Sequence, residues 1–253
     1  MNDSTPRMRM FAGPNGSGKS TIKSVISPHL LGIYINPDEI EAYIVANGYL
    51  DFQHYEIQPV KEEVFKFFEG STLLQKEDML DEVKKLCFRE NKLIFHGVSA
   101  NAYFASAIAD FLRTKLIEES KSFTFETVMS SPDKITVLRK AQSQGFRTYL
   151  YYVATEDPEI NISRIRYRIE MGGHSVPEEK IKSRYSRSLD LLIDAVKLTH
   201  RAYIFDNSSH EHIWLAEITN GRELEMKSDF MPIWFKKALW DKFKKENAQS
   251  DAF

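Results

Sequence analysis

The stretch that decides the fold is "MFAGPNGSGKSTI", residues 10–22. It carries the pattern G-x-x-x-x-G-K-[ST], in which glycines let the backbone curl so that several N–H groups point at one phosphate. An apolar segment, 7–13, precedes the pattern, and a helical segment begins at Lys19 and runs to Pro28. This strand–loop–helix context favours a phosphate-binding loop over a chance match. The predicted nucleotide-binding residues are Gly13, Pro14, Asn15, Gly16, Ser17, Gly18, Lys19, Ser20 and Thr21.

Two side chains of this loop are expected to carry chemistry. Lys19 reaches the β and γ phosphates in such loops, and the Ser20 hydroxyl ligates Mg²⁺. Motors, transporters and kinases share the loop, so it predicts a nucleotide and not a reaction. The signature sequences of ABC-type ATPases and the N-K-x-D motif of GTPases do not occur in the chain, which favours a kinase of small molecules.

The composition limits the partners and the cellular location that we expect for the protein. The 253 residues include 34 Lys and Arg against 36 Asp and Glu, a net charge of −2, so nucleic acid is not an expected partner. The single cysteine, Cys87, is predicted to be a small core residue of a helix. No signal peptide and no apolar run of about 20 residues is found. We therefore expect a soluble, cytoplasmic protein without membrane contact, and a monomer by default.

Strand and helix patterns alternate along most of the chain and predict an α/β fold, a parallel sheet with helices on both faces. Residues 50–98 break the alternation and are predicted to be a helical insertion without a strong strand. The whole chain, 1–253, is predicted to be one domain that includes this insertion and a helical lid region at 157–200. The further predictions are strands at 31–35, 122–127, 147–155 and 201–206, helices at 36–48, 99–120 and 130–145, a hairpin turned by Asn220-Gly221, and a closing aromatic-rich helix.

Two acids stand where predicted strands end, at the sheet edge where ligands of such folds bind. Asp38 follows the second strand and could accept a proton from a substrate hydroxyl or hold Mg²⁺ through water; an ordinary helix-dipole acid fits its position equally well. Glu126 ends the strand "SFTFET", and Thr127 stands beside it. Both are predicted to contact the acceptor, with an exposed strand-end acid as the alternative for Glu126.

The segment 164–187 is basic within a slightly acidic chain. Arg164 and Arg168 share one helix face, a costly arrangement unless an anion lies between them. Arg166 points elsewhere and has Glu170 as a predicted ion-pair partner. "MGGHSVPEEK" follows with a Gly-Gly hinge, His174 and the capping-box start of a second helix. Two helices joined by a hinge predict a lid over a triphosphate, with a solvated basic face as the alternative.

In this order, "GPNGSGKST", "NPDEI", "FET" and "GGHSVPEEKIKSRYSRSL" resemble the zeta-toxin-like P-loop kinases, across most of residues 8–210. The resemblance implies a P-loop kinase fold with a five-stranded parallel sheet. It also implies ATP- and Mg²⁺-dependent phosphorylation of a hydroxyl. The best-known members modify the 3′-hydroxyl of UDP-N-acetylglucosamine, and toxins of this kind are paired with an antitoxin protein.

The resemblance also assigns roles to individual residues. Lys19 and Ser20 match the residues that hold ATP and metal, Asp38 matches the catalytic base, and Glu126 with Thr127 matches the acceptor-binding pair. Arg164 or Arg168 resembles the first lid arginine. His174 stands where the toxins have their second lid arginine, so Arg184 or Arg168 is left to supply that charge.

Three functions remain open from the sequence. The leading one is a kinase whose acceptor is a small molecule, with a UDP-sugar as the family's example. The second is a polynucleotide 5′-kinase, for which the basic lid and the aromatic residues of 50–98 would track a strand. The third is a non-catalytic ATP-binding module of a toxin–antitoxin pair.

Overall fold

The computed structural model describes residues 5–24, 26–171 and 176–250. The chain divides into two compact units. The first consists of the described parts of Met1–Leu31 and Glu126–Phe253, and the second is Gly32–Phe125. Within the described residues, no helix is both long and apolar enough to cross a membrane.

The secondary structure elements follow in chain order. The strands are β1 (Arg7–Ala12), β2 (Ile33–Ile35), β3 (Tyr49–Asp51), β4 (Cys87–Arg89), β5 (Lys92–Ile94), β6 (Phe123–Thr127), β7 (Arg147–Ala154), β8 (Arg201–Asp206), β9 (Ile213–Thr219) and β10 (Glu223–Met226). The helices are α1 (Lys19–Ser24), α2 (Pro28–Leu31), α3 (Pro37–Asn47), α4 (Lys61–Glu69), α5 (Thr72–Lys76), α6 (Leu80–Val83), α7 (Ala102–Glu118), α8 (Asp133–Ser143), α9 (Pro158–Glu170), α10 (Glu178–Asp190), α11 (Leu192–Lys197), α12 (Ile233–Phe235) and α13 (Asp241–Ser250), with a 3-10 turn at Phe52–Tyr55 and a π turn at Lys236–Trp240.

The sheet of the first unit has the order β10-β9-β8-β7-β1. β1, β7 and β8 are parallel, and β9 and β10 extend the sheet as an antiparallel hairpin. The predicted hairpin turn is confirmed, because Asn220 and Gly221 both have positive φ, as a two-residue turn of this kind requires.

The core of the first unit explains why these strands form. β1 is buried from Met8 to Ala12, since the parallel strands of an α/β fold are covered on both faces. On one face, Phe11 and Val153 pack against Ile22 of α1. The predicted α/β fold with a parallel sheet is therefore confirmed, and in the first unit the antiparallel hairpin adds β9 and β10 to the parallel strands β1, β7 and β8.

The second unit contains the parallel pair β2–β6 and the helices α3 and α7, which pack against each other. The ends of α3 follow the sequence prediction. Asn36 caps its start by accepting the Asp38 N–H at 2.9 Å, and Gly48 ends it with φ of 76°.

The prediction of a purely helical insertion at 50–98 is wrong. Short helices are present, but β3, β5 and β4 form an antiparallel three-stranded sheet in that order. The turn between β4 and β5 consists of Glu90 and Asn91, both with positive φ, and it lacks the glycine that usually reveals such a turn. The prediction for Cys87 is wrong for the same reason, because it lies exposed on β4 and not in a helix core.

Two helices of the predicted lid region, α9 and α10, pack on each other. Ile162 and Ile165 of α9 contact Ile181 of α10. Asp157 caps α9 by accepting the Glu159 N–H at 2.8 Å. The capping-box pattern that predicts the start of this second helix begins at Ser175, which lies outside the described residues.

Candidate active site

The glycine loop between β1 and α1 takes a shape that other residues cannot adopt. Gly13, Gly16 and Gly18 have φ of 143°, 75° and 97°. A Cβ on Gly13 would lie 2.0 Å from the Val153 carbonyl oxygen, and one on Gly16 would lie 2.7 Å from the Asn161 carbonyl oxygen. The glycines are therefore required by close packing as well as by backbone conformation.

The loop lysine is already directed at the loop. Lys19 Nζ donates to the carbonyl oxygens of Gly13 at 2.9 Å and Pro14 at 3.0 Å. These contacts hold the ammonium against the backbone of the loop. Ser20 and Thr21 are exposed in the first turn of α1.

A nucleotide phosphate fits this loop on two observations. The first is the close-packed glycine curve. The second is Ser17, whose fully buried Oγ has no hydrogen-bond partner among the described residues. A buried hydroxyl without a partner is costly, and a phosphate oxygen would satisfy it.

Two buried asparagines support the loop from the outside, and sequence reasoning did not find this role for either. Asn161 of α9 donates from Nδ2 to the Asn15 carbonyl oxygen at 2.6 Å. Asn207, which directly follows β8, donates from Nδ2 to the Ser17 carbonyl oxygen at 2.8 Å. For Asn207, the sequence left open a contact with adenine or a plain turn. No local signal marks these residues, because each lies more than 140 positions from its partner.

The segment that carries Asn207 is tied to the C-terminal part of the chain. Asp206, 1% exposed, accepts from Trp234 Nε1 at 2.7 Å and from the Ser208 hydroxyl at 2.8 Å. Both carboxylate oxygens of Glu156 accept from the Ile233 N–H, at 3.1 and 3.2 Å. Burial raises the pKa of Glu156 above its usual range, and this backbone hydrogen bond opposes the rise.

Among the predicted lid arginines, Arg164 is half-buried on α9. Its Nη2 donates to the Ser209 carbonyl oxygen at 3.2 Å, and its buried Nη1 has no partner among the described residues. Burial lowers the pKa of Arg164, and the nearby Asp206 carboxylate opposes that shift. Arg164 thus offers a desolvated cation next to the segment that supports the loop.

The other predicted lid residues differ in their placement. Arg168 is exposed on α9, and Arg184 is half-buried on α10. His174 lies outside the described residues. Arg166 pairs with Glu178 at 2.5 Å, and not with Glu170 as predicted. This pair joins the two lid helices and leaves Arg166 engaged away from the loop.

Of the predicted acceptor residues, Asp38 follows β2, and Glu126 and Thr127 are the last two residues of β6. Asp38 belongs to the second unit, where it is exposed in the first turn of α3. Glu126 is buried, with 9% exposed. Thr127 Oγ1 accepts the Met129 N–H at 3.0 Å, which fixes the turn after β6. The roles of Asp38, Glu126 and Thr127 remain predictions.

Among the described residues, no three His, Cys, Asp or Glu side chains come together as a metal site. Mg²⁺ usually keeps several waters and is held by one or two protein oxygens together with substrate phosphates. Ser20 and Asp38 remain the predicted protein ligands.

Solved structures that resemble the chain include two of the same complex. The AvrRxo1-ORF1:-ORF2 complex with ATP matches with a TM-score of 0.53 and 14% identity, over 94% of this chain and 63% of that one. The same complex with sulphate ions matches with a TM-score of 0.52 and 15% identity, again over 94% and 63%. At such identities the likeness shows the fold, and the chain spans less than two thirds of the protein that it matches.

Sequence comparisons show the family. A curated protein of Haemophilus influenzae, described only as uncharacterized, is 33% identical over 69 residues, 27% of this chain and 49% of that one. The sequence model of the zeta toxin family matches residues 91–219, a range that includes Glu126, Thr127 and both lid helices. Because this range is just over half of the 253 residues, the chain belongs to the zeta toxin family.

Proposed function

We propose that this protein is an ATP-dependent kinase that transfers the γ-phosphoryl group to a hydroxyl of a small molecule. The observation that carries the proposal is the loop at 13–18, with its close-packed glycines, its directed Lys19 and its buried Ser17 hydroxyl. Family membership supports phosphoryl transfer over the other uses of such a loop. One of the similar AvrRxo1 complexes was crystallised with ATP, which supports ATP as the nucleotide.

The glycine loop and the lid arginines bind different parts of the triphosphate. Loop N–H groups and Lys19 hold the β and γ phosphates. Ser20 would hold Mg²⁺, which when bound neutralises phosphate charge. Arg164, with Arg168 or Arg184, supplies the cation that stabilises the charge of the transferring group. Arg164 is the first choice because its guanidinium is already partly desolvated and retains a nitrogen without a partner.

The acceptor is activated by a carboxylate. Asp38 takes the proton of the acceptor hydroxyl, whose oxygen bonds to the γ-phosphorus as the bond to the bridging oxygen breaks and ADP leaves. Glu126 and Thr127 hold the acceptor. Within the family, a UDP-N-acetyl sugar is the first acceptor to test.

We also propose a protein partner that controls the kinase, an antitoxin. Both AvrRxo1 structures are complexes of ORF1 with ORF2, which supports a second protein component here. A cytoplasmic location and a monomeric kinase outside that complex complete the proposal.

The test has a binding arm and a transfer arm. Calorimetry measures ATP affinity, and labelled ATP is offered with UDP-sugars, nucleosides and 5′-hydroxyl oligonucleotides. We expect ATP binding and transfer to a small molecule, both lost in Lys19→Ala. Lys84→Ala is the matched control, because Lys84 is an exposed lysine paired with Asp81 in the second unit. Transfer to oligonucleotides alone, or ATP binding without transfer to any acceptor, would overturn the small-molecule proposal.

The proposed base has its own test. Asp38→Asn should keep ATP affinity and lower the transfer rate by roughly a hundredfold or more, as loss of a general base does. Glu39→Gln is the control, since it removes the neighbouring carboxylate of the same helix turn. Equal transfer rates for the two variants would remove Asp38 from the mechanism.

A further inference from the structure

The two asparagines that support the glycine loop act on alternate peptide groups. Asn161 holds the carbonyl oxygen of Asn15, and Asn207 holds that of Ser17. Both asparagines are buried, with 0% and 7% exposed. The intervening residue is Gly16, and the residue after Ser17 is Gly18. The supports therefore fix the Asn15–Gly16 and Ser17–Gly18 peptides.

Because the peptide group is planar, the two hydrogen bonds to the carbonyl oxygens also fix the direction of the N–H groups that follow them. In a trans peptide, the carbonyl of one residue and the N–H of the next point in opposite directions within one plane. Holding the carbonyls of Asn15 and Ser17 toward the asparagines directs the N–H groups of Gly16 and Gly18 the other way. The outer supports thereby set the direction of two donors of the loop.

Each asparagine is itself fixed in orientation. Thr155 Oγ1 donates to Asn161 Oδ1, which leaves Nδ2 as the group that faces the loop. The Asn207 N–H donates to the Ala154 carbonyl oxygen at 2.8 Å, which anchors that residue at the end of β7. The side chain of Asn207 also occupies the space beside Gly18, where a Cβ would lie 2.0 Å from Nδ2.

We propose that Asn161 and Asn207 are positioning residues that hold the glycine loop in its phosphate-binding form. This inference rests on the proposed nucleotide binding and deepens it, because it assigns the shape of the site to two residues that need not touch the nucleotide. Their role is to orient donors in advance, so that phosphate binding does not have to reorder the loop.

The Asn161 support reaches both lid helices. Asn161 belongs to α9, and Tyr185 of α10 donates from its hydroxyl to the Thr155 carbonyl oxygen at 2.6 Å. Burial raises the pKa of Tyr185, which keeps the phenol protonated as a donor. A hydrogen-bonded path from α10 through Thr155 and Asn161 thus ends at the tip of the loop.

The test replaces the donating amide by a carboxylate of the same shape. Asn161→Asp and Asn207→Asp remove the donor and set an oxygen against a carbonyl oxygen. We expect at least about tenfold weaker binding of ATP and of inorganic triphosphate, the change that corresponds to one lost hydrogen bond, and unchanged binding of adenosine. A role limited to stability would weaken all three ligands alike or none.

The control is Asn91→Asp in the second unit. Asn91 also donates from Nδ2 to a backbone carbonyl, that of Ile57 at 2.9 Å, so the chemical change is matched. Urea unfolding checks that each variant is folded. If Asn161→Asp does not fold, Thr155→Val replaces it, because this variant keeps Asn161 and removes only the hydroxyl that orients it.

The outcomes distinguish the positioning role of the two asparagines from the proposed kinase activity. Loss of phosphate affinity in the loop variants and not in Asn91→Asp supports the positioning role. Folded loop variants that bind ATP like the unchanged protein would overturn it and leave the proposed kinase standing. An unchanged protein that binds no nucleotide would overturn the kinase proposal, and the positioning role with it.

Discussion

Two groups of glycines in this protein both have positive φ and differ in their surroundings. Gly13, Gly16 and Gly18 of the loop have positive φ and neighbours within 2.0–2.7 Å of where a Cβ would be. Gly48 and Gly145 also have positive φ, but a Cβ there would meet nothing within 4 Å. The comparison separates glycines that end a helix or a turn from glycines that let other atoms approach the backbone.

The largest effect is expected from Gly18→Ala. Its Cβ would displace Asn207 Nδ2 and open the support of the Ser17 carbonyl, so we expect ATP affinity to fall by roughly a hundredfold, more than one lost hydrogen bond. Calorimetry measures the loss. Gly145→Ala is the control and should lower the free energy of unfolding by about 1–2 kcal/mol while ATP affinity stays unchanged. Equal ATP affinities in the two variants would erase the distinction between the two groups of glycines.

The next effect concerns the hydrogen bond between Trp234 and Asp206, the residue before the loop-supporting Asn207. Trp234→Phe removes the indole N–H that Asp206 accepts, next to Asn207, and we expect a loss of about 1.5–3 kcal/mol of unfolding free energy. Urea denaturation gives the value. Trp214→Phe is the matched control, because Trp214 is 40% exposed and its N–H donates to a neutral carbonyl. A larger loss in the control would show that the Asp206 contact contributes little.

A smaller effect tests the turn that lacks glycine. Glu90 is exposed and has φ of 51° in the β4–β5 turn, a conformation that asparagine tolerates better. Glu90→Asn should raise the free energy of unfolding by about 0.5 kcal/mol, since its exposed ion pair with Arg89 contributes little. Thermal unfolding of the two proteins measures the gain. A destabilised variant would mean that this turn carries no strain.

The smallest effect concerns a hydrogen bond between Thr148, near the start of β7, and His200. This hydrogen bond depends on the protonation state of the imidazole. Burial and the Arg147 charge lower the pKa of His200 below its usual value of 6.5, and its Nδ1 accepts the Thr148 N–H at 3.1 Å. The unfolded chain then binds the proton more readily, so stability should fall as the pH drops below about 6.5. His200→Asn keeps an acceptor that does not titrate and should flatten the slope of unfolding free energy between pH 7 and 5. A slope that is unchanged in this variant would assign the effect to other groups.

Local signals in the sequence predicted the elements that depend on local interactions. The Asn36 cap and the Gly48 end of α3 are confirmed, as is the Asn220-Gly221 hairpin. The small sheet of the second unit was missed because β4 and β5 have three residues each, too few to show an alternating pattern. The turn between them consists of Glu90 and Asn91, a pair without the glycine that usually indicates a hairpin turn.

In the candidate site, too, the sequence predicted the local motif and missed the long-range contacts. The glycine loop is a local motif, so its pattern and its place between β1 and α1 could be predicted from the sequence. Its supports could not, since Asn161 and Asn207 are separated from their partners by 146 and 190 residues and no pattern links them. Arg164 was predicted for its charge, while its contact with Ser209 depends on how α9 packs.

The position of these supports along the chain has a consequence for the timing of biosynthesis. The glycine loop emerges from the ribosome first, and Asn207 follows 190 residues later. At about 5–20 residues per second, this delay is roughly ten to forty seconds. Trp234, which holds the neighbouring Asp206, is made later still. A nascent chain therefore carries the complete loop motif long before it can form the binding site.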